Sequence, residues 1–294
     1  MRCAIVAMAL GALAAAATPA DAQTPAPPPE ATPNTGRVSL AAGVDWTTDY
    51  FFRGILQEDD DYIFQPYGEI AFKLLEGGPA FGNLALTVGT WNSLHGGPTG
   101  VSGNATDPDL WYESDFYSKL GWTFLEDFSS AVIYTAYMSP NDRFGTVQEV
   151  AFSLGYNDTK LLGPFALNPS VLVAFELDGQ ADAGSHRGVF LQTGVAPGYT
   201  FNAGGTYPVT LTVPLAVGLS LSEYYEFGTG EDDTFGFFQG GVGIGVPLAF
   251  IPASLGTWTL KGGMTVLHLG DNLREINHRD RTEVIGTVGV AFTY

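Results

Sequence analysis

Thiol chemistry is almost absent from this sequence, whose one cysteine, Cys3, sits in a segment expected to be removed on export. The mature chain then has none, which excludes disulfides, thiolate nucleophiles and cysteine-held metals. Long hydrophobic runs are also missing. Beyond the N-terminus nothing approaches the roughly 18 continuous apolar residues that a membrane-crossing helix requires. Basic residues are scarce: 12 Lys plus Arg stand against 31 Asp plus Glu, a formal net charge of −19. Such a surface repels phosphate backbones and excludes nucleic acid as a partner, while keeping the chain soluble in transit. Helical periodicity never becomes convincing.

What the chain does contain is 38 Gly, 20 Phe and 13 Tyr. Abundant glycine and aromatics with few charges suit β-strands whose outer face needs no solvation. At the N-terminus, Arg2, an apolar alanine-rich run from Cys3 to Ala17, and Ala20-Asp21-Ala22 form the three parts of a signal peptide, cut before Gln23. Residues 1–22 are therefore expected to leave on export. Residues 23–36 form a proline-rich lead-in on the periplasmic side, and 37–294 make one domain.

That domain alternates. In the last strand Val284, Gly286, Val288, Val290, Phe292 and Tyr294 share one face, and Glu283, Thr287, Gly289, Ala291 and Thr293 share the other. Ile285 is the one large apolar exception. A terminal aromatic on such a strand is expected at the membrane interface, where the barrel-assembly machinery would recognise it. From Val209 to Leu221 the pattern recurs, with Val and Leu on one face and Thr, Pro, Ala, Gly and Ser on the other. A soluble sandwich also alternates, but here the second face is small rather than charged, as in a lumen. Gly241, Gly243 and Gly245 lie within a strand and lack dinucleotide-fingerprint spacing, so no cofactor is expected.

Counting such segments gives about twelve strands and an all-β fold, a closed antiparallel transmembrane β-barrel. The even count places both termini in the periplasm, with short turns there and long loops (93–110, 223–233, 270–281) outside. Closure leaves no unpaired edge. The expected location is the bacterial outer membrane, in contact with lipid and lipopolysaccharide.

Three segments carry a family likeness. Thr47-Thr48-Asp49-Tyr50-Phe51-Phe52-Arg53-Gly54-Ile55 resembles the SDYxFRGIS opening of the TorF-type porins, with Thr48 for serine and Leu56-Gln57 for Ser-Gln. Val88-Gly89-Thr90-Trp91-Asn92-Ser93 is similar to that family's GxWxSN segment, and Glu113-Ser114-Asp115-Phe116-Tyr117 to its ExDxY strand. The resemblance implies an outer-membrane barrel with a pore role, and brings no substrate or catalytic residues.

The lumen candidates follow from strand faces. Glu69 and Lys73 share one strand's inner face; Asp115, Tyr117 and Lys119 share another's. With Arg53, Glu113, Glu149, Glu176 and Lys261 they either line a constriction or form a self-satisfied network that plugs the interior, since a barrel of this strand number is narrow. Acidic clusters at Glu58–Asp61, Asp107–Glu113, Glu176–Asp182, Glu223–Asp233 and Asp271–Glu283 fall on outer loops and strand ends, and the four lysines toward the periplasm. A mouth of one sign concentrates counter-ions, so the expectation is passive diffusion of small polar solutes, with cations or neutral solutes favoured. Alternatively the loops are merely solvated, or bind lipopolysaccharide through divalent ions.

Catalysis finds little support in the sequence. Ser185 beside His186, and His278 with Asp280, are too short to be motifs; no His spacing suggests zinc; and the acidic runs lack an ordered calcium loop. No catalytic or metal-binding residue is assigned. A scaffolding barrel without an open pore, or a lipid hydrolase, remain the alternatives to a channel.

Overall fold

Alternation along the chain becomes a single closed sheet in the computed structural model, which describes residues 34, 36–97, 110–227 and 230–294. The export signal and nearly all of the proline-rich lead-in lie outside the described residues. Sixteen strands run in order: β1 (Val38–Thr47), β2 (Tyr50–Phe52), β3 (Ile55–Glu58), β4 (Ile63–Glu76), β5 (Phe81–His95), β6 (Trp111–Phe124), β7 (Phe128–Met138), β8 (Val147–Tyr156), β9 (Ser170–Asp178), β10 (Val189–Val195), β11 (Gly198–Phe201), β12 (Val209–Thr212), β13 (Leu215–Ser222), β14 (Phe235–Pro247), β15 (Thr257–Leu269) and β16 (Thr282–Thr293). Ala196-Pro197 separates β10 from β11, and Val213-Pro214 separates β12 from β13, because proline cannot donate to the ladder. Each pair continues one strand, and β2–β3 forms its own small sheet, so the wall has twelve strands.

The wall closes where β1 meets β16, antiparallel from Ala41↔Thr293 to Thr47↔Thr287. The pleat then sorts the side chains. Phe72, Phe116, Phe152, Val242, Leu260 and Val288 point outward and are exposed, forming the apolar exterior a lipid bilayer requires. No described helix is long and apolar enough to cross a membrane. Buried inward positions of the wall include polar and aromatic Gln65, Thr87, Tyr117 and Thr212, together with aliphatic Ile63, Ile133, Leu267 and Ile285.

Both described ends of the wall lie together, with Leu40 and Tyr294 exchanging two backbone hydrogen bonds of 2.7 and 2.8 Å. At that end the link 157–169 is longer than expected. β9 begins only at Ser170, because Thr159–Leu162 form a short helix and Gly163–Phe165 a 3-10 turn. Asp158 organises this link by accepting the backbone N–H groups of Leu167 and Asn168.

The larger departure lies at the opposite end. The segment leading into Glu58–Asp61, expected as an external loop, folds back as the β2–β3 hairpin, whose residues Tyr50, Phe51, Phe52, Ile55 and Leu56 are buried. A charged run at 58–61 made the segment look like a solvated loop, but Tyr50–Leu56 before it is aromatic or aliphatic apart from the Arg53-Gly54 turn. Only a covered position removes that much apolar surface from water. Ile285, the exception on the last strand, is explained here: it faces inward, 1% exposed, as part of the same core as the hairpin.

Candidate functional site

The turn of the hairpin is Arg53-Gly54, with φ of 48° and 85°. Positive φ at both central positions is the two-residue geometry whose twist matches the flanking strands. Glycine suits the second position sterically as well, since a Cβ on Gly54 would stand 2.6 Å from Leu273 Cδ1 and 3.3 Å from Phe237 Cδ1. The tip is thus driven between β14 and the short helix Asp271–Ile276.

Arg53 is carried by this turn across the mouth. Its guanidinium grips Glu149 of β8 with two bonds of 2.6 and 2.7 Å, donates to the Tyr224 hydroxyl at 2.8 Å, and lies 4.3 Å from the centroid of Phe190. Bidentate pairing with a ring beneath uses both the fork and the flat face of the guanidinium. Asn277 holds the other side of the turn, accepting the Leu56 N–H at 3.0 Å and donating to Gly54 O at 2.6 Å. Tyr225 donates its hydroxyl to Arg53 O at 3.0 Å. We call this set of contacts the clasp.

The candidate residues fall into separate groups. Arg53 and Glu149 meet directly. Glu113 accepts the Tyr50 hydroxyl at 2.9 Å, and the fully buried Asp115 carboxyl interacts with that of Glu113. Tyr117 donates to Glu69 at 2.9 Å, and Lys261 pairs with Asp45 at 3.0 Å beneath the Tyr67 ring. Lys119 is buried on the β6 inner face. Two residues belong elsewhere. Lys73 does not pair with Glu69 but reaches Glu76 at 2.6 Å near the end of β4. Glu176 is not part of the constriction either: it accepts the N–H groups of Ala181 and Gly188 at 2.6 and 2.7 Å, pinning the loop after β9.

Many rim acids likewise act within loops instead of facing the aqueous mouth. Asp232 accepts Ser220 Oγ and the N–H groups of Glu223 and Tyr225, and Asp182 accepts the Glu226 N–H at 2.8 Å. Asp59, Asp60 and Asp61 do remain exposed. Sequence reasoning missed Tyr50, Tyr67, Tyr224 and Asn277, whose roles depend on neighbours up to 223 residues away. The apolar pairs flanking Arg53-Gly54 were the signal available for the hairpin.

Two polar clusters at this end bear on chemistry. Ser93 Oγ lies 2.7 Å from His95 Nε2, and His95 Nδ1 is 3.8 Å from Glu58 Oε2. The order is that of a nucleophile relay, but the His–Glu gap exceeds a hydrogen bond and all three groups are shut off from solvent. Elsewhere, His186, Glu223 and Glu226 bring three ligand atoms within 4.8 Å of one another, drawn from two loops. Sequence spacing gave no hint of that grouping. His186 Nδ1 is 2.7 Å from Glu226 Oε1, which raises the imidazole above its ordinary pKa, with Glu223 adding to the effect, and lowers the Glu226 carboxyl. The ion pair between the loops therefore forms above the lowered Glu226 value, is complete up to about pH 6.5, and is lost as pH rises through the raised His186 value. In an NMR titration the His186 ring protons are expected to shift above pH 6.5, moving back toward 6.5 in Glu226→Gln. An unchanged midpoint would refute the pairing.

An apolar exterior, a closed antiparallel wall and a polar interior define a transmembrane barrel of the outer-membrane type. No known family matches the chain, and no curated protein matches it in sequence. Among solved structures it is similar to the NanC porin (10% identity, 87% of this chain and 98% of that one, TM-score 0.40). It is similar also to the translocator domain of the autotransporter NalP from Neisseria meningitidis (13%, 88% and 89%, TM-score 0.38), and to outer membrane phospholipase A from Escherichia coli (13%, 87% and 92%, TM-score 0.34). Likenesses this distant do not discriminate among functions.

Proposed function

We propose that the protein is a channel of the bacterial outer membrane for small polar solutes, held shut here by the β2–β3 hairpin at its outward mouth. The observation that carries this reading is the clasp: one hairpin, reached by a two-residue turn and gripped by Arg53, fills the end of the barrel that bears the long loops. Below it the wall turns polar and small side chains inward, including Gln65, Thr87, Thr210 and Thr212. A stopper made from a single loop over such an interior suits a path that opens when the loop leaves. Exposed Asp59, Asp60 and Asp61 beside the hairpin favour cations or neutral solutes over anions at the opened mouth.

Planar-bilayer recording tests this. Wild type is expected to conduct in rare, small steps, and a deletion of residues 49–61 to conduct steadily, with a cation-selective reversal potential in a salt gradient. A folded barrel that stays silent in both forms would overturn the channel. It would favour a sealed, structural barrel, the reading supported by the apolar packing of the hairpin tip against Phe237, Leu269 and Leu273. In either case Ser93, His95 and Glu58 are read as packing between hairpin and wall, with no catalytic role assigned.

Glu58 makes the closure pH-dependent. Burial raises its carboxyl to about 7, with Asp59, Asp60 and Asp61 adding to the effect and the Asp60 N–H opposing it. His95 and Tyr112 are the other titratable groups facing it. The folded hairpin prefers the neutral acid, so its stability is greatest below about pH 4.5 and falls as pH rises toward 7. Open probability is expected to climb between pH 5 and 8 in wild type and to stay flat across that range in Glu58→Gln. A climb of equal size in the variant would assign the effect to another group.

A further inference from the structure

Beside the hairpin, a recess of about 80 Å³ opens to solvent between β6, β7 and the loops that follow β7 and β9. Phe52, Tyr112, Tyr137 and Phe144 give it four aromatic walls, with Phe52 edge-on to Tyr137 at 5.2 Å and Tyr112 edge-on to Phe144 at 5.4 Å. Both tyrosine hydroxyls are already used, Tyr112 donating to Gln57 and Tyr137 to Glu149, so the recess is offered their rings. Glu113 is the one charged residue among its lining groups. It is 4% exposed, and the Tyr50 hydroxyl is bound to only one of its two oxygens. Two residues along the same strand face, the buried Asp115 carboxyl interacts directly with that of Glu113, so two acids lie together behind the rings. The nearby guanidinium of Arg53 is spent on Glu149, and no basic side chain lines the recess.

An aromatic cage over a buried pair of acids has a defined chemistry. Ring faces present negative potential to a cation whose own hydration is weak, and the acid pair adds negative charge that no neutral ligand can use. Strongly hydrated inorganic ions gain little from ring faces, and anions are repelled. We propose that this recess binds the ammonium head of a small organic cation, an alkylated or quaternary amine, with the remainder of the ligand projecting into the mouth. Phe52 and Gln57 belong to the hairpin, so the bound head would touch both the stopper and the wall. The proposal concerns binding and stands whether or not the barrel conducts.

Isothermal titration of the detergent-solubilised full chain with choline, tetramethylammonium and the uncharged isostere 3,3-dimethylbutanol tests it. Saturable binding of both cations is expected, with the alcohol at least about tenfold weaker. Glu113→Gln, which keeps an acceptor for Tyr50, should cost about tenfold or more. Phe144→Ala, in a half-buried loop position, should cost roughly three- to fivefold. Should Glu113→Gln misfold, Phe144→Ala still decides. No cation binding, equal binding of the alcohol, or undiminished binding in Phe144→Ala would each overturn the proposal.

Discussion

Replacing Arg53 with methionine is expected to turn a mostly silent barrel into one that conducts for most of the recording time. The size of the effect comes from what is left behind. Glu149 is 4% exposed at its side chain and takes both Arg53 bonds; without them it stays buried and ionised, or must capture a proton. Removing one partner of a buried pair costs about 3–5 kcal/mol, well above the worth of the pair relative to an apolar substitute. Loss of the stacking on Phe190 and of the bond to Tyr224 adds to this. The clasped-to-released ratio should therefore fall by about two to four orders of magnitude. Arg53→Met combined with Glu149→Gln should recover much of the closure, because the orphaned charge is then gone. If the double variant conducts as freely as the single, the pair is not what holds the hairpin.

Asn277→Ala should have the next largest effect, by a different route. The side chain satisfies the Leu56 N–H and Gly54 O at a position 1% exposed. Alanine leaves both backbone groups buried without partners, at a cost on the order of 1–3 kcal/mol each. Limited proteolysis reads this directly: cleavage within 50–61 should appear early in Asn277→Ala, with the wall strands still resistant. Asn277→Asp keeps the acceptor for Leu56 but loses the donor to Gly54, so it should fall between wild type and alanine. Equal resistance in all three would show that the apolar tip alone retains the hairpin.

Much of this architecture was legible because a strand wall obeys a local rule. Alternation at Val209–Leu221 and Val284–Tyr294 assigned each face without knowledge of any neighbour, since adjacent side chains must point to opposite sides. The same rule assigned Glu69, Asp115, Tyr117, Lys119 and Lys261 to inner faces, and Asp115, Tyr117 and Lys119 are buried. It failed where facing inward was not enough to specify a partner. Glu69 and Lys73 lie on one face, yet one serves Tyr117 and the other Glu76. Glu176 has the right parity but is consumed by backbone N–H groups of its own loop. Nothing local distinguishes those outcomes.

The hairpin shows the boundary most clearly. Two-residue turn and apolar flanks were present at Phe52-Arg53-Gly54-Ile55, and the acidic run after Leu56 pointed toward water. Which of the two prevailed depended on whether the barrel offered an apolar seat. It does, from Phe237, Leu269, Leu273 and Ile285 on β14, β15, β16 and the helix between the last two. Sequence alone determined that this chain is an all-β barrel wall with an apolar outside and a polar inside, because that pattern is written residue by residue. Tertiary structure alone decided that the β2–β3 hairpin seats against the wall, because that seat rests on Arg53 meeting Glu149 and Asn277 meeting Gly54 across 96 and 223 positions, and contacts that distant exist only once the wall has joined.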